Sequence, residues 1–147
     1  MEAPEVQAFN YINQRKYQAA LPVFKKCYEA DPENPIIKSF YGLCLAFDNP
    51  PKFELAEKLC KEAIAKELYN SSLYVNLAWV YHRQGKRYES IVMLEYALKW
   101  DENNKEALYL RKILKVRRQP VFKFLPRSHF LNIIFGKIRH KLLGPLT

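Results

Sequence analysis

Glycine is scarce in this chain, with 4 among 147 residues. That is too few for a phosphate-cradling loop plus ordinary turns, and neither a P-loop nor a G-x-S-x-G elbow occurs. Cysteine is rarer still. Cys27, Cys44 and Cys60 are odd in number and lack CxxC spacing, which suits neither a disulfide framework nor a zinc site. All three fall where helices would pack, so they are expected to be buried free thiols in a reducing, cytoplasmic setting. Cys44 has no basic neighbour at helical spacing to favour its thiolate and is expected to pack beside Gly42. His82, His129 and His140 are not paired with Cys, His or carboxylate at a metal-ligand spacing. No catalytic constellation, metal set or cofactor signature is visible, and the chain reads as a non-enzyme. Long apolar runs are missing as well, since nothing approaches the roughly 20 residues of a membrane-spanning helix. The acidic start, Met1 to Glu5, has no apolar run behind it, so no signal peptide is expected.

Acidic residues all but vanish from the last 43 positions. Residues 1–104 carry 13 Lys and Arg against 14 Asp and Glu, a net charge of −1. Residues 105–147 carry 11 basic residues against the single acid Glu106, a net charge of +10. The +9 of the whole chain is therefore a property of one end. Hydrophobic residues make up 49% and charged ones 27%, which excludes a disordered chain and leaves one domain with a real core. Glu54, Glu57 and Glu62, with Lys58 and Lys66, read as a solvated helix face carrying charge pairs.

What is present is a rhythm. Ala20, Phe24 and Cys27 lead to Asp31-Pro32; Ala56, Cys60 and Ala63 lead to Glu67; Ser90, Leu94 and Ala97 lead to Asp101. The copies are 36 and then 34 residues apart, a period typical of stacked helical hairpins. Before the third copy stand Tyr74, Leu77, Ala78 and Tyr81, followed by Gln84-Gly85-Lys86, where Gly85 suits a left-handed helix stop. Small residues at Ala78, Ser90 and Ala97 allow two helices to cross closely, and the larger ones fill the space around them. The first copy keeps Ala8, Tyr11 and Tyr17 but has Pro4 in place of an aromatic; Pro22 is expected to bend its second helix slightly. The second keeps Tyr41-Gly42, has two extra residues in the turn Asp48 to Pro51, and carries Leu68 at the exit.

This pattern resembles the tetratricopeptide repeat over residues 1–104, as hairpins 1–34, 35–70 and 71–104. The resemblance implies an all-α solenoid, closed by a solvating helix over 105–118 with Leu108, Ile113, Leu114 and Val116 on its apolar side. It also implies that the first helix of each hairpin lines a concave groove. The inward residues would be Glu2, Glu5, Phe9, Ile12 and Asn13; Ile36, Ser39, Leu43, Ala46 and Phe47; Ser72, Val75, Trp79, His82 and Arg83; then Glu106 and Tyr109. Of these, Phe9, Ile12, Leu43, Phe47, Val75, Trp79, His82, Arg83 and Tyr109 are the candidate partner contacts. A register shift of one would put some in the core, and Trp79 fits groove and core equally. Some members of the family clamp a chaperone tail's terminal carboxylate with Lys, Asn and Arg. The matching positions here are Glu5, Phe9, Phe40, Ser72 and Asn76, which argues against that partner.

From 119 to 147 the composition turns basic and aromatic. Ser128 and Gly144 bracket an expected helix that gathers Phe130, Leu131, Ile134, Phe135, Ile138 and Leu142 on one side. Lys137 and Lys141 border that stripe, and Gly136 costs the helix about 1 kcal/mol relative to Ala. Three destinations remain open: the repeat array itself, including its groove; an anionic membrane surface; or a protein partner, including a second copy of the chain. Nucleic acid, through Lys112, Lys115, Arg117 and Arg118 with Phe122 and Phe124, is a weaker fourth. The leading expectation is a cytoplasmic adaptor that binds a protein or peptide in its groove. The alternative is a peripheral membrane protein anchored by its basic end, with the repeats recruiting a partner.

Overall fold

The computed structural model describes residues 2–116 and, beyond them, Ile133, Ile134 and Lys137. Within 2–116 the chain forms seven helices and no strand: α1 (Pro4–Asn13), α2 (Tyr17–Ala30), α3 (Pro35–Ala46), α4 (Phe53–Lys66), α5 (Ser71–Arg83), α6 (Arg87–Trp100) and α7 (Lys105–Ile113). Consecutive helices pack as antiparallel hairpins, and α3 also packs on α5, and α5 on α7. The odd-numbered helices therefore form one layer and the even-numbered ones the other.

Asparagine starts each new hairpin. Asn34 Oδ1 accepts from the backbone N–H of Ile36 and Ile37, Asn70 Oδ1 from Ser72, and Asn104 Oδ1 from Ala107. Each cap satisfies helix N–H groups that have no partner inside their own helix. The backbone N–H of the same three residues donates to Asp31, Glu67 and Asp101, so one turn is built three times.

A second turn also recurs. Lys16 N–H donates to the Tyr11 carbonyl, Lys86 to Tyr81 and Val116 to Arg111, across a central residue with positive φ: Arg15, Gly85 and Lys115. Gly85, at φ +77°, fulfils the expected left-handed stop. The turn after α7 is thus the one that joins the two helices of a hairpin. It ends α7 at Ile113, short of the Arg118 expected for it. Its buried side is Ala107, Leu110 and Leu114, while Ile113 is exposed and Leu108 half-buried.

Small residues close each hairpin as their spacing requires. Ala8 and Ala20 are fully buried beside Phe24. Gly42 faces α4 so closely that an added Cβ would lie 3.0 Å from Cys60 Sγ. The sulfur against Gly42 is therefore that of Cys60, not Cys44. In the third hairpin Ser90 Oγ donates to the Ala78 carbonyl at 2.8 Å, so a hydroxyl takes the alanine's place without an unpaired polar atom. Helix α2 runs unbroken through Pro22. Burial pushes the thiols of Cys44 and Cys60 up to about 12, which leaves them protonated packing groups. Cys27 is only half-buried, contrary to the expectation for all three.

Candidate functional site

The odd-numbered helices enclose a cavity of about 220 Å³. Its apolar wall is Phe9 and Ile12 of α1, Phe40 and Leu43 of α3, and Val75 and Trp79 of α5. Asn13, Ser72, Asn76 and Asn104 add polar edges, and Arg15, Tyr17 and Glu106 complete the rim. Each side chain points inward because first helices stack side by side and present the same phase to the concave face.

Two clusters of aromatic rings underlie the cavity and flank it. Tyr17 stacks on Phe47 with centroids 3.9 Å apart, and Phe47 meets Trp79 at 5.9 Å. Trp79 in turn meets His82 at 5.7 Å and Tyr109 at 6.2 Å. Phe9 fills the other end, edge-on to Phe24 and Phe40 at 5.3 and 5.0 Å. Arg83 lies over the Phe47 ring at 4.8 Å and directs Nε toward the Ala46 carbonyl at 3.5 Å. Such rings are large, rigid contacts that lose little conformational freedom when a partner covers them.

Polar groups hold the floor in place. Asn76 Nδ2 donates to Ser39 Oγ at 3.0 Å, tying α5 to α3 in a buried pair. Trp79 Nε1 donates to Glu106 Oε1 at 3.0 Å. Arg15, from the turn after α1, grips the same carboxylate with Nη1 at 3.0 Å and Nη2 at 3.2 Å, 91 residues away in sequence. Burial, then the neighbouring Arg83, pushes the His82 imidazole below its usual value, so it is neutral at pH 7. Burial raises the Tyr17 phenol against the opposing pull of Arg15. Among the described residues no group of three His, Cys, Asp or Glu could hold a metal ion, and no helix is long and apolar enough to cross a membrane.

A family profile described as "Tetratricopeptide repeat" matches residues 7–34 and 71–104, the first and third hairpins of this layered array. Those two hairpins match the tetratricopeptide repeat, and the array has its fold. Solved structures carry the same fold. The first tetratricopeptide domain of Spaghetti (RPAP3), bound to the HSP90 peptide SRMEEVD, is 24% identical with a TM-score of 0.58, covering 76% of this chain and 87% of that one. The first such domain of human RPAP3 is 24% identical with a TM-score of 0.60 and the same coverage. A MamA variant is 26% identical with a TM-score of 0.52, covering 68% of this chain and 72% of that one. Curated protein sequences give no match.

Of the expected contacts, Phe9, Ile12, Leu43, Val75 and Trp79 line the cavity. Phe47, His82, Arg83 and Tyr109 adjoin its aromatic floor. Leu43, Val75 and Trp79 are also core residues, exposed by 3%, 2% and 6%. Groove and core are therefore not alternatives at Trp79; the floor of the groove is the top of the core. The contacts missing from the sequence reading are Arg15, Tyr17 and Asn104, which come from turns or the even layer, along with Phe40 and Asn76. The expected tail residues Phe130, Leu131, Phe135, Ile138, Lys141 and Leu142 lie outside the described residues, whereas Ile134 and Lys137 are exposed.

Proposed function

We propose that the chain is a non-enzymatic adaptor that holds a peptide or helix of a protein partner against its concave, aromatic face. The observation that carries this reading is the cavity walled by Phe9, Ile12, Phe40, Leu43, Val75 and Trp79, an opening onto apolar side chains with a few fixed polar groups at its rim. Solved relatives of the fold hold HSP90 and HSP70 peptides, which supports a peptide as the class of ligand. The clamp for a terminal carboxylate is not part of the proposal. At its matching positions Phe9 and Phe40 pack edge to face, and Glu5 supplies the wrong charge. The anchor is instead an apolar side chain of the partner.

Selection of displayed peptides on the intact chain tests this. Peptides that enrich should lose binding to Ser72→Arg, because Ser72 is an exposed residue on the cavity wall whose replacement fills the groove without disturbing the core. Equal binding by that variant, with an unchanged thermal melt, would place the partner surface elsewhere.

A second reading, peripheral membrane attachment, draws on the +10 charge of residues 105–147 and on the exposed Ile133, Ile134 and Lys137. Sedimentation with phosphatidylserine vesicles decides it. An intact chain that stays in the supernatant at low salt removes this reading and favours a tail that covers the array or meets another chain.

A further inference from the structure

The residue at the left-handed position of the first hairpin turn is an arginine. The third hairpin has Gly85 there, at φ +77°, whereas the first holds Arg15 at φ +57°. A side chain in that conformation costs about 1 kcal/mol, and the turn after α7 bears the same cost at Lys115, so what sets Arg15 apart is where its side chain goes. The Arg15 side chain reaches into the groove. Its guanidinium lies 4.2 Å from the Tyr109 ring centroid and 5.7 Å from that of Trp79, and Nη1 donates to the Tyr17 hydroxyl at 3.1 Å. A two-pronged donor, the Trp79 N–H and an aromatic surround thus converge on one carboxylate, that of Glu106. This is how proteins recognise a carboxylate on a partner, yet here the carboxylate belongs to the chain itself. The Arg15 and Glu106 side chains remain 41% and 43% exposed, so solvent and ligand reach the pair.

We infer that Arg15 and Trp79 Nε1 form the acid-reading site of the groove, and that Glu106 occupies it until an acidic side chain of the partner displaces it. The inference rests on the groove reading above and narrows it to a partner with Glu or Asp beside an aliphatic anchor. The anchor enters the adjoining cavity at Ile12, Leu43 and Val75. Glu106 is then an internal competitor, and net affinity is the difference between two carboxylates for one guanidinium.

The test uses two fluorescein-labelled, C-terminally amidated hexapeptide pools, random except for a central Leu-Glu in one and Leu-Gln in the other. Amidation leaves the side chain as the acid that distinguishes them. Anisotropy is read with the intact chain, Glu106→Gln, Arg15→Gln and Arg15→Lys, each checked by thermal melt. Glu106→Gln keeps an acceptor for Trp79 Nε1 and should bind the Leu-Glu pool about tenfold tighter than the parent, with the Leu-Gln pool unchanged. Arg15→Gln should abolish the preference for Leu-Glu, and Arg15→Lys should restore part of it. If Glu106→Gln improves both pools alike, or neither, while display-selected peptides still bind, the acid-reading site is refuted and the groove stands. If no peptide of either kind binds, both are refuted.

Discussion

Gly42 of α3 lies against the backbone of Ala56 in α4 so closely that a Cβ on it would sit 2.9 Å from the Ala56 carbonyl oxygen. Backbone cannot rotate aside as a side chain can, so the helices must separate to admit a methyl group. Gly42→Ala is expected to destabilise the fold by about 2 kcal/mol through overpacking, despite the better helix propensity of alanine. Urea unfolding measures this, and an unchanged or raised midpoint would contradict the close crossing of α3 and α4.

Gly85 presents the opposite case. An added Cβ meets nothing within 4 Å, but φ is +77°. Gly85→Ala should therefore cost about 1 kcal/mol from backbone strain alone, and Gly85→Asn less, since asparagine tolerates the left-handed region. Comparing the two variants by denaturant titration separates strain from lost space.

Trp79 spans Phe47, His82 and Tyr109 and is nearly buried. Trp79→Ala should lower stability by about 3 to 5 kcal/mol, a large part of what a small domain possesses. Its effect on partner binding therefore has to be read on the fraction that remains folded. A melt unchanged from the parent would make Trp79 a surface residue.

The Glu57 carboxylate accepts from Lys61 Nζ at 2.6 Å and from the Tyr81 hydroxyl at 3.2 Å, with Lys86 Nζ at 3.7 Å. The Lys61 hydrogen bond above all holds its carboxyl below the ordinary 4.5. A folded value below the unfolded one means the stabilisation is complete above pH 4.5 and is lost as pH falls through the folded value. Glu57→Gln should flatten the acid limb of a plot of melting temperature against pH. Parallel curves for parent and variant below pH 4.5 would assign that limb to other carboxylates.

The hairpins were legible because close helix crossings accept only small side chains. Ala20, Ala56 and Ser90 announce themselves in sequence by size alone. The inward phase of Phe9, Ile12, Leu43, Val75 and Trp79 is what the tetratricopeptide resemblance implies, since it sets the first helix of each hairpin on the concave face. Arg15 was not legible. Its role depends on a left-handed turn and on Glu106, a partner 91 residues away, and neither leaves a local pattern. Phe40 and Asn76 stand in sequence at clamp positions, and the register that brings them to the cavity edge depends on how neighbouring hairpins rotate against each other. The caps Asn34, Asn70 and Asn104 repeat as faithfully as the alanines, and that period is itself a sequence signal of the helix starts.

An array whose helices touch only near neighbours behaves mechanically as a coil spring, soft to stretching and to bending. Here helix packing follows that neighbour pattern, and the Arg15–Glu106 bridge spans from the first hairpin turn to α7 across the mouth of the coil. The Arg15 guanidinium also lies over the Tyr109 ring of α7, so one side chain joins the two ends of the coil by charge and by ring contact. Both partners of the ion pair stay exposed, so the join is weak beside the packed helix interfaces, and the coil is clasped rather than stiffened.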